Sequence, residues 1–325
     1  MTAYAPSAAA NAPIKIGVSA CLLGAEVRFD GGHKRNDFLT AILGRFVEFV
    51  PVCPEFELGL GVPRESLRLV RDGGAIRMVG AKSGVDHAAA MNEFAARRAH
   101  ALEREELSGY VLKKDSPSCG MERVRVYGPG GMPTRDGRGL FAAALMARYP
   151  NLPVEEEGRL SDPRLRENFV ERVFAYRRLR DFFGSRWSAG GLVAFHTAHK
   201  LQLLAHSPRV YAELGRIVAR AKSLDRRELR DRYEREFMGA LAKIVSPARH
   251  VNVLQHIAGY FRDCLDSDSR GELAALIEDY RRGILPLIVP ITLMRHYVRR
   301  FGVAYLAGQV YLEPHPKELM LRNHV

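Results

Sequence analysis

Cys21, Cys53 and Cys119 stand 32 and 66 residues apart, each at or just past the end of a short apolar run that reads as a buried strand. Thiols placed this way can meet, because ligands of an open α/β sheet bind in the crevice beyond the carboxyl ends of its strands. Three thiolates with no fourth protein ligand in the pattern suggest a metal centre with one open position. A structural zinc site of four cysteines, or three and a histidine, is closed, whereas an iron-sulfur cube held by three cysteines leaves one iron free for a substrate atom. Cys-x-x-Cys pairs are absent. By spacing alone, three unrelated buried thiols remain the competing reading. Cys264, on the stretch Tyr260 to Leu265, lies outside the pattern and reads as a lone thiol.

The elements that must position these cysteines alternate in the first half of the chain. Ile14 to Ser19, Phe49 to Val52, Gly109 to Lys113 and Leu152 to Glu155 read as strands, and Leu67 to Val79, broken by Asp72-Gly73-Gly74, as a hairpin. Asp37 to Phe46, Val85 to Leu107 and Gly139 to Tyr149 carry apolar residues at helical spacing. The pattern predicts an α/β N-terminal domain, Rossmann-like with a mostly parallel sheet. Strands then disappear. Asp162 to Ala205, Val210 to Ser223, Arg226 to Ile244, Arg249 to Leu265 and Gly271 to Tyr280 are spaced as helices, which predicts an all-α C-terminal domain. The apolar, proline-bearing Leu285 to Thr292 reads as a buried kinked element. The expected organisation is a flexible arm over residues 1–13, a catalytic domain over 14–158 and a helical basic domain over 159–325.

Of the 325 residues, 47% are hydrophobic and 26% charged, which excludes a disordered chain. No apolar run reaches the length of a membrane span, and residues 1–13 lack the basic and apolar regions of a secretory signal, so a cytoplasmic protein is expected. The net charge of +12 is uneven. Residues 161–325 hold 28 Lys and Arg against 18 Asp and Glu, while residues 1–160 hold 21 against 19. The second half is therefore a candidate polyanion-binding surface.

The segments around the three cysteines carry a resemblance. They are Val18-Ser19-Ala20-Cys21-Leu22-Leu23-Gly24, Pro51-Val52-Cys53-Pro54-Glu55 with Leu58 to Arg64 behind it, and Lys113-Lys114-Asp115-Ser116-Pro117-Ser118-Cys119-Gly120. In this order they resemble the thiouracil desulfidase family, over about residues 14–157. The second half resembles a helical domain often fused behind that one, through Phe195 to Lys200, Arg249 to Phe261, Leu285 to Tyr297 and Tyr305 to Leu312. The two-domain order is similar to that of bacterial desulfidases that remove sulfur from 4-thiouridine in transfer RNA.

The resemblance implies a 4Fe-4S cluster held by Cys21, Cys53 and Cys119, with the open iron accepting the substrate sulfur. Water attacks the polarised thiocarbonyl carbon without net electron transfer. Such a step needs a base and a proton-managing group. Glu55 matches the family's glutamate by position and is the first catalytic candidate, with a helix-start residue offsetting nearby positive charge as the plainer alternative. Ser116 is the second catalytic candidate, with turn formation as its plainer role. Arg28, Asp30, His33, Lys114 and Ser118 are candidates for contact with base, ribose or phosphate.

In the helical half, His196, His199 and Lys200 share a helix face by spacing and are candidates for the RNA backbone, as are Arg177 and Arg178, which have few acids nearby. Arg226 to Glu236 interleaves arginines with acids and reads as a self-neutralising solvated face. Asn252, Gln255, His256 and Tyr260 form a polar face suited to unstacked bases or to a polar seam. The expected function is desulfuration of 4-thiouridine in tRNA. The alternatives are a desulfidase of free thiouracil or thiolated nucleosides, and a non-enzymatic iron-sulfur sensor that binds nucleic acid. The expected partner is tRNA, no membrane partner is expected, and the oligomeric state is left open.

Overall fold

The computed structural model describes residues 13–128 and 132–325, and these form two compact units, residues 13–162 and 163–325. The arm expected over residues 1–13 lies, apart from Pro13, outside the described residues.

The first unit runs β1 (Ile14–Ser19), β2 (Val47–Val52), α1 (Pro54–Glu57), β3 (Leu67–Asp72), β4 (Ala75–Gly80), α2 (Ala88–Ala101), β5 (Gly109–Leu112), β6 (Val124–Tyr127), β7 (Pro133–Gly137), α3 (Leu140–Arg148) and β8 (Val154–Glu156). Four strands make one sheet in the order β2-β1-β5-β8 with every pair parallel. From β1 the chain passes to β2 on one side and later to β5 on the other. The crevice above β1 is therefore the switch point where α/β folds bind ligands. The mostly parallel α/β architecture expected from the sequence is what the structure has. Its core is formed by the strand residues Ile16, Val18, Tyr110 and Val111 with Phe141 of α3, the Tyr110 and Phe141 ring centroids lying 6.0 Å apart.

A second, mixed sheet in the order β4-β3-β6-β7 was not foreseen. The hairpin β3–β4 turns at Gly73 and Gly74, both with positive φ, as a two-residue hairpin turn requires. The strand β6 has four residues and β7 reads Pro-Thr-Arg-Asp-Gly, exposed except at its last residue. β6 alternates Val124 and Val126 with Arg125 but is too short to register as a strand, β7 has no apolar alternation, and each is recruited by pairing. The helix expected over Asp37 to Phe46 is instead a π turn at Phe38–Ile42 followed by a 3-10 turn at Leu43–Arg45.

The second unit is helical: α4 (Pro163–Gly184), α5 (Ala189–Ala198), α6 (Lys200–His206), α7 (Pro208–Ala219), α8 (Arg226–Leu241), α9 (Pro247–Gly259), α10 (Ser267–Arg281), α11 (Ile288–Phe301) and α12 (Ala304–Ala307). The single helix read over Asp162 to Ala205 is three. After Gly184 the chain breaks and restarts where the Ser188 hydroxyl accepts the Gly191 N–H at 3.0 Å, a side-chain cap. The segment Leu285 to Thr292 bends at Leu285 and turns at Leu287 into the first turn of α11. Pro290 sits in the first turn of α11, where its missing N–H leaves no helical bond unmade. Among the described residues no helix is long and apolar enough to cross a membrane.

Candidate thiol-lined active site

The strands β2, β1 and β5 are neighbours, and each leads into one of the three cysteines. Cys21 lies in the 3-10 turn after β1, Cys53 caps α1 directly after β2, and Cys119 ends a loop seven residues beyond β5. All three line one cavity of about 330 Å³, together with Ser19, Arg28, Phe29, Lys34, Glu55, Arg64, Lys113, Lys114, Asp115, Ser116 and Ser118. That volume suits a small ligand. Among the described residues no three His, Cys, Asp or Glu side chains gather closely enough to hold a single metal ion. The thiols are thus arrayed around a space rather than clustered at a point. Cys264 is exposed and lies in the other unit.

Burial raises all three thiols. Cys21 is pushed up to about 11 by loss of water and by the neighbouring Cys53 charge, against the pull of Lys113 and Arg28. Burial lifts Cys53, opposed by the backbone N–H groups of Phe56 and Glu55. Cys119 is raised furthest by burial, against a hydrogen bond from the Ser19 hydroxyl that favours its thiolate. In the absence of a bound cation these groups are neutral thiols at pH 7.

Beside the thiols runs a directed chain of hydrogen bonds. The Ser116 hydroxyl oxygen accepts the backbone N–H groups of Ser118 (3.3 Å) and Cys119 (3.1 Å), and lies 3.0 Å from the Ser118 Oγ. Ser118 Oγ lies 2.7 Å from Glu55 Oε1, close enough to donate to the carboxylate in preference to the Cys119 sulfur at 3.7 Å. With the Ser118 hydrogen committed to Glu55, the Ser116 hydroxyl donates to Ser118, and the chain points Ser116 to Ser118 to Glu55. The other Glu55 oxygen accepts from Arg64 through Nε at 3.1 Å and Nη2 at 2.5 Å. Arg64 also donates to the carbonyls of Val27 (3.1 Å) and Gly61 (2.9 Å), and its side chain is 7% exposed, so the fork is fixed on both sides.

The loop that carries Cys119 is gripped from below. The free N–H groups at the start of α3 bind it, Leu140 N to Pro117 O (3.1 Å) and Ala142 N to Ser118 O (3.1 Å), while Gly139 N reaches Gly120 O (2.8 Å). Lys113 pairs with Glu157, whose other oxygen accepts the Lys114 N–H at 2.8 Å. Asp115 adopts a left-handed φ of 59° where the loop turns into the cavity.

Of the residues expected at the site, Cys21, Cys53, Cys119, Glu55, Ser116, Ser118, Arg28 and Lys114 line the cavity. Asp30 and His33 do not. Asp30 accepts the Gly32 N–H (3.1 Å) and pairs with Arg28, and His33 accepts the Arg35 N–H (3.2 Å), so both shape the loop. Arg64, Ser19, Lys113 and Phe29 belong to the cavity lining and were not singled out. Ser19, Phe29 and Arg64 lie inside the quoted segments or beside them, but nothing in their spacing marks them; what they do depends on pairing across the fold.

The helical candidates need correction. His196 and His199 are 2% and 0% exposed, and so present no basic face to solvent. Burial lowers His196 to about 4 and His199 well below the ordinary histidine value, with Arg178 adding to the latter. His199 stacks on Phe195 at 4.1 Å, donates through Nδ1 to the Phe195 carbonyl (2.7 Å) and accepts from Arg178 (3.3 Å). Arg178 further holds Pro314 O (2.9 Å), and Arg177 pairs with Asp181 (2.8 Å). These side chains hold the helices together. Lys200, half-buried, starts α6 beyond the break at His199. Asn252, Gln255, His256 and Tyr260 do share an exposed face of α9 and its end, where Tyr260 stacks on Tyr305 at 5.2 Å.

Comparison with known proteins divides the chain in the same way. Residues 16–157 match the family described as 2-thiouracil desulfurase, and residues 200–316 match a family described as a protein of unknown function, DUF1722. The uncharacterized protein YbgA of Escherichia coli (strain K12) is 36% identical over 163 residues, 49% of this chain and 95% of its own length. The uncharacterized protein YbbK of Bacillus subtilis (strain 168) is 31% identical over 109 residues, 32% of this chain and 71% of its own. A solved structure named as a 4Fe-4S-dependent thiouracil desulfidase, TudS, is 33% identical and spans 46% of this chain and 93% of that one, at a TM-score of 0.37.

Proposed function

The chain belongs to the 2-thiouracil desulfurase family, and from that membership we propose that it replaces the sulfur of 4-thiouridine in tRNA by oxygen, water entering and sulfide leaving without net electron transfer. The observation that carries the reading is the convergence of three thiols from adjacent parallel strands on one cavity that also holds the Glu55–Ser118–Ser116 chain.

The donor set fits an iron-sulfur group: three soft sulfurs arrayed around a space, too widely placed for one ion, in a site with the cations Arg28 and Lys113 nearby. Cys21, Cys53 and Cys119 would hold a 4Fe-4S cluster. Held there, such a cluster would supply a soft iron able to bind the thiocarbonyl sulfur and make the ring carbon more electrophilic.

The protein's own groups supply the rest. Glu55, held in place by Arg64, takes a proton from the attacking water through the lone pairs that Arg64 and Ser118 leave free. Ser118 and Ser116 pass that proton on from Glu55 to the ring nitrogen or leaving sulfur once their hydroxyls rotate to reverse the chain. Phe29, 38% exposed at the cavity with the Arg28 guanidinium 5.4 Å from its ring centroid, offers a stacking surface to a pyrimidine.

The excess positive charge of residues 161–325 supports a polymeric substrate, since a free base needs no such surface. Desulfuration of free thiouracil is the second reading, favoured by the family description itself. The test is anaerobic. The protein is reconstituted with iron and sulfide, given tRNA containing 4-thiouridine, and the RNA digested to nucleosides. Loss of 4-thiouridine with matching uridine and sulfide, abolished in Cys119→Ala, is the expected result. Survival of 4-thiouridine in RNA while free thiouracil is consumed would overturn the tRNA assignment, and no turnover of either would overturn the enzyme in favour of a nucleic-acid-binding cluster protein.

A further inference from the structure

In the helical unit most arginines are engaged by the fold. Arg177 pairs with Asp181, Arg226 lies 4.2 Å from the Trp187 ring centroid, Arg249 holds His206 O at 2.5 Å, and Arg322 is buried against Glu167 at 3.0 Å. Three are not. Arg216 in the last turn of α7, Arg220 just past its end and Arg232 on α8 are exposed, and among the described residues their side chains make no ion pair or hydrogen bond. The three line one cavity of about 510 Å³ between the two helices, over Ile217 and Leu224. The one carboxylate in that lining, Glu213, is held by Arg209 at 2.9 Å.

Arg232 is where this differs from the charge pattern, which reads the α8 arginines as neutralised by the acids between them. Arg227 and Arg235 do have such partners, Asp231 at 4.0 Å and Glu236 at 3.8 Å. Arg232 turns instead toward α7. Like charges converging without a counter-charge destabilise the fold, so their pairing partner is an external anion. Guanidinium groups set along two helices, with an apolar floor for their stems, suit phosphate oxygens, which they bind in a bidentate fork.

We propose that Arg216, Arg220 and Arg232 form a phosphate-binding groove that takes the backbone of the RNA substrate. This rests on the tRNA reading above and gives it a location that Arg177, Arg178, His196 and His199 do not supply. Exposed and unpaired, the three groups are free to exchange counterions for phosphates, the exchange that makes RNA binding salt-dependent.

The experiment uses the full chain with its cluster reconstituted. Binding of tRNA is measured against salt for the wild type, for Arg216→Glu/Arg220→Glu/Arg232→Glu, and for a control, Arg227→Glu/Arg235→Glu/Arg299→Glu, which changes net charge equally outside the groove lining. The expected result is affinity lower by on the order of tenfold or more and a log–log salt slope shallower by about 2 to 3 in the groove variant, well beyond the control. Helical circular dichroism and desulfuration of free thiouracil should stay unchanged. Equal losses in groove variant and control would overturn the site and leave tRNA binding standing. Failure of the wild type to bind tRNA would overturn the substrate reading itself. Titration with uridine monophosphate separates the phosphate sources: binding of the nucleotide as tight as that of tRNA, lost in the groove variant, would assign the groove to a free nucleotide and overturn the RNA proposal.

Discussion

Arg64 places two nitrogens on a single oxygen of Glu55, Nε at 3.1 Å and Nη2 at 2.5 Å, leaving the other oxygen to Ser118. With side chains 7% and 13% exposed, the pair is buried, and the same guanidinium ties down the carbonyls of Val27 and Gly61. The carboxylate beside the thiols is therefore oriented by a residue nine positions along the chain.

Arg64→Ala should remove that orientation while leaving all three cysteines in place. Breaking one partner out of a buried pair leaves an uncompensated charge, and a base that loses its alignment forfeits much of its contribution. Turnover is expected to fall by about 10- to 100-fold with iron and sulfide content per chain unchanged. Arg64→Lys keeps the charge but not the fork, and should recover part of the loss. Kinetics and metal analysis on the same samples check this; loss of the cluster in Arg64→Ala would show that Arg64 serves the thiols instead.

The thiols set a pH dependence on assembly. Burial holds Cys21 near 11 and raises Cys53 and Cys119, so the cluster-free protein carries neutral thiols at pH 7 and must release protons when they become ligands. Proton release makes ligation more favourable as pH rises. Anaerobic reconstitution at pH 8.5 should load the cluster faster and more fully than at pH 7.0, as read by iron content and visible absorption. Equal loading at both would mean that the thiols ionise without help from bulk pH.

How much of this was legible depended on whether the signal was local. The strand Ile14–Ser19 was readable in full because a buried parallel strand is a continuous apolar run, and the three cysteines stood out because each follows such a run. Arg64, Ser19 and Phe29 were not picked out, because their roles come from contacts made only when β1, β2 and the loop after β5 are side by side. His196 and His199 misled in the opposite way. Polar residues at helical spacing look solvent-facing, yet both rings are enclosed among Phe195, Tyr233 and Phe237, His199 bonded through both nitrogens and His196 through Nδ1 to the Tyr233 hydroxyl. Arg232 was hidden by its acidic neighbours. Sequence spacing gives opportunity for a pair, and only the fold decides which arginine takes it.

Those buried histidines should make the helical unit acid-sensitive. Burial depresses His196 to about 4 and His250 to about 3, so the folded unit holds them neutral. A base whose folded pKa lies below its unfolded value contributes stability that is present above about pH 6.5 and lost as pH falls toward the folded value. The loss is roughly 1.4 kcal/mol per pH unit for each histidine in that window. Urea unfolding followed by helical circular dichroism from pH 7 to pH 4 should show the midpoint falling, with a gentler fall in His250→Gln. A midpoint flat across the window would contradict neutral, buried histidines.

A single methyl group at Gly139 should reach the active site through the backbone. A Cβ there would stand 2.5 Å from the carbonyl carbon and oxygen of Ser118 and 2.8 Å from the Cys119 nitrogen. Those are main-chain atoms, so the strain is not relieved by turning a side chain; either α3 withdraws or the Ser118–Cys119 segment shifts. Withdrawal breaks the Leu140 and Ala142 bonds to the loop, and a shift moves both the Ser118 hydroxyl and the Cys119 sulfur. Gly139→Ala is therefore expected to lose most cluster binding and turnover, although Gly139 does not line the cavity. Ser118→Ala, which removes only the hydroxyl, should lose turnover by about 10- to 100-fold while keeping the cluster. The contrast between the two, in iron content per chain, separates a displaced ligand loop from a broken proton chain. If Gly139→Ala keeps both cluster and activity, the start of α3 does not hold the loop in the way its hydrogen bonds indicate.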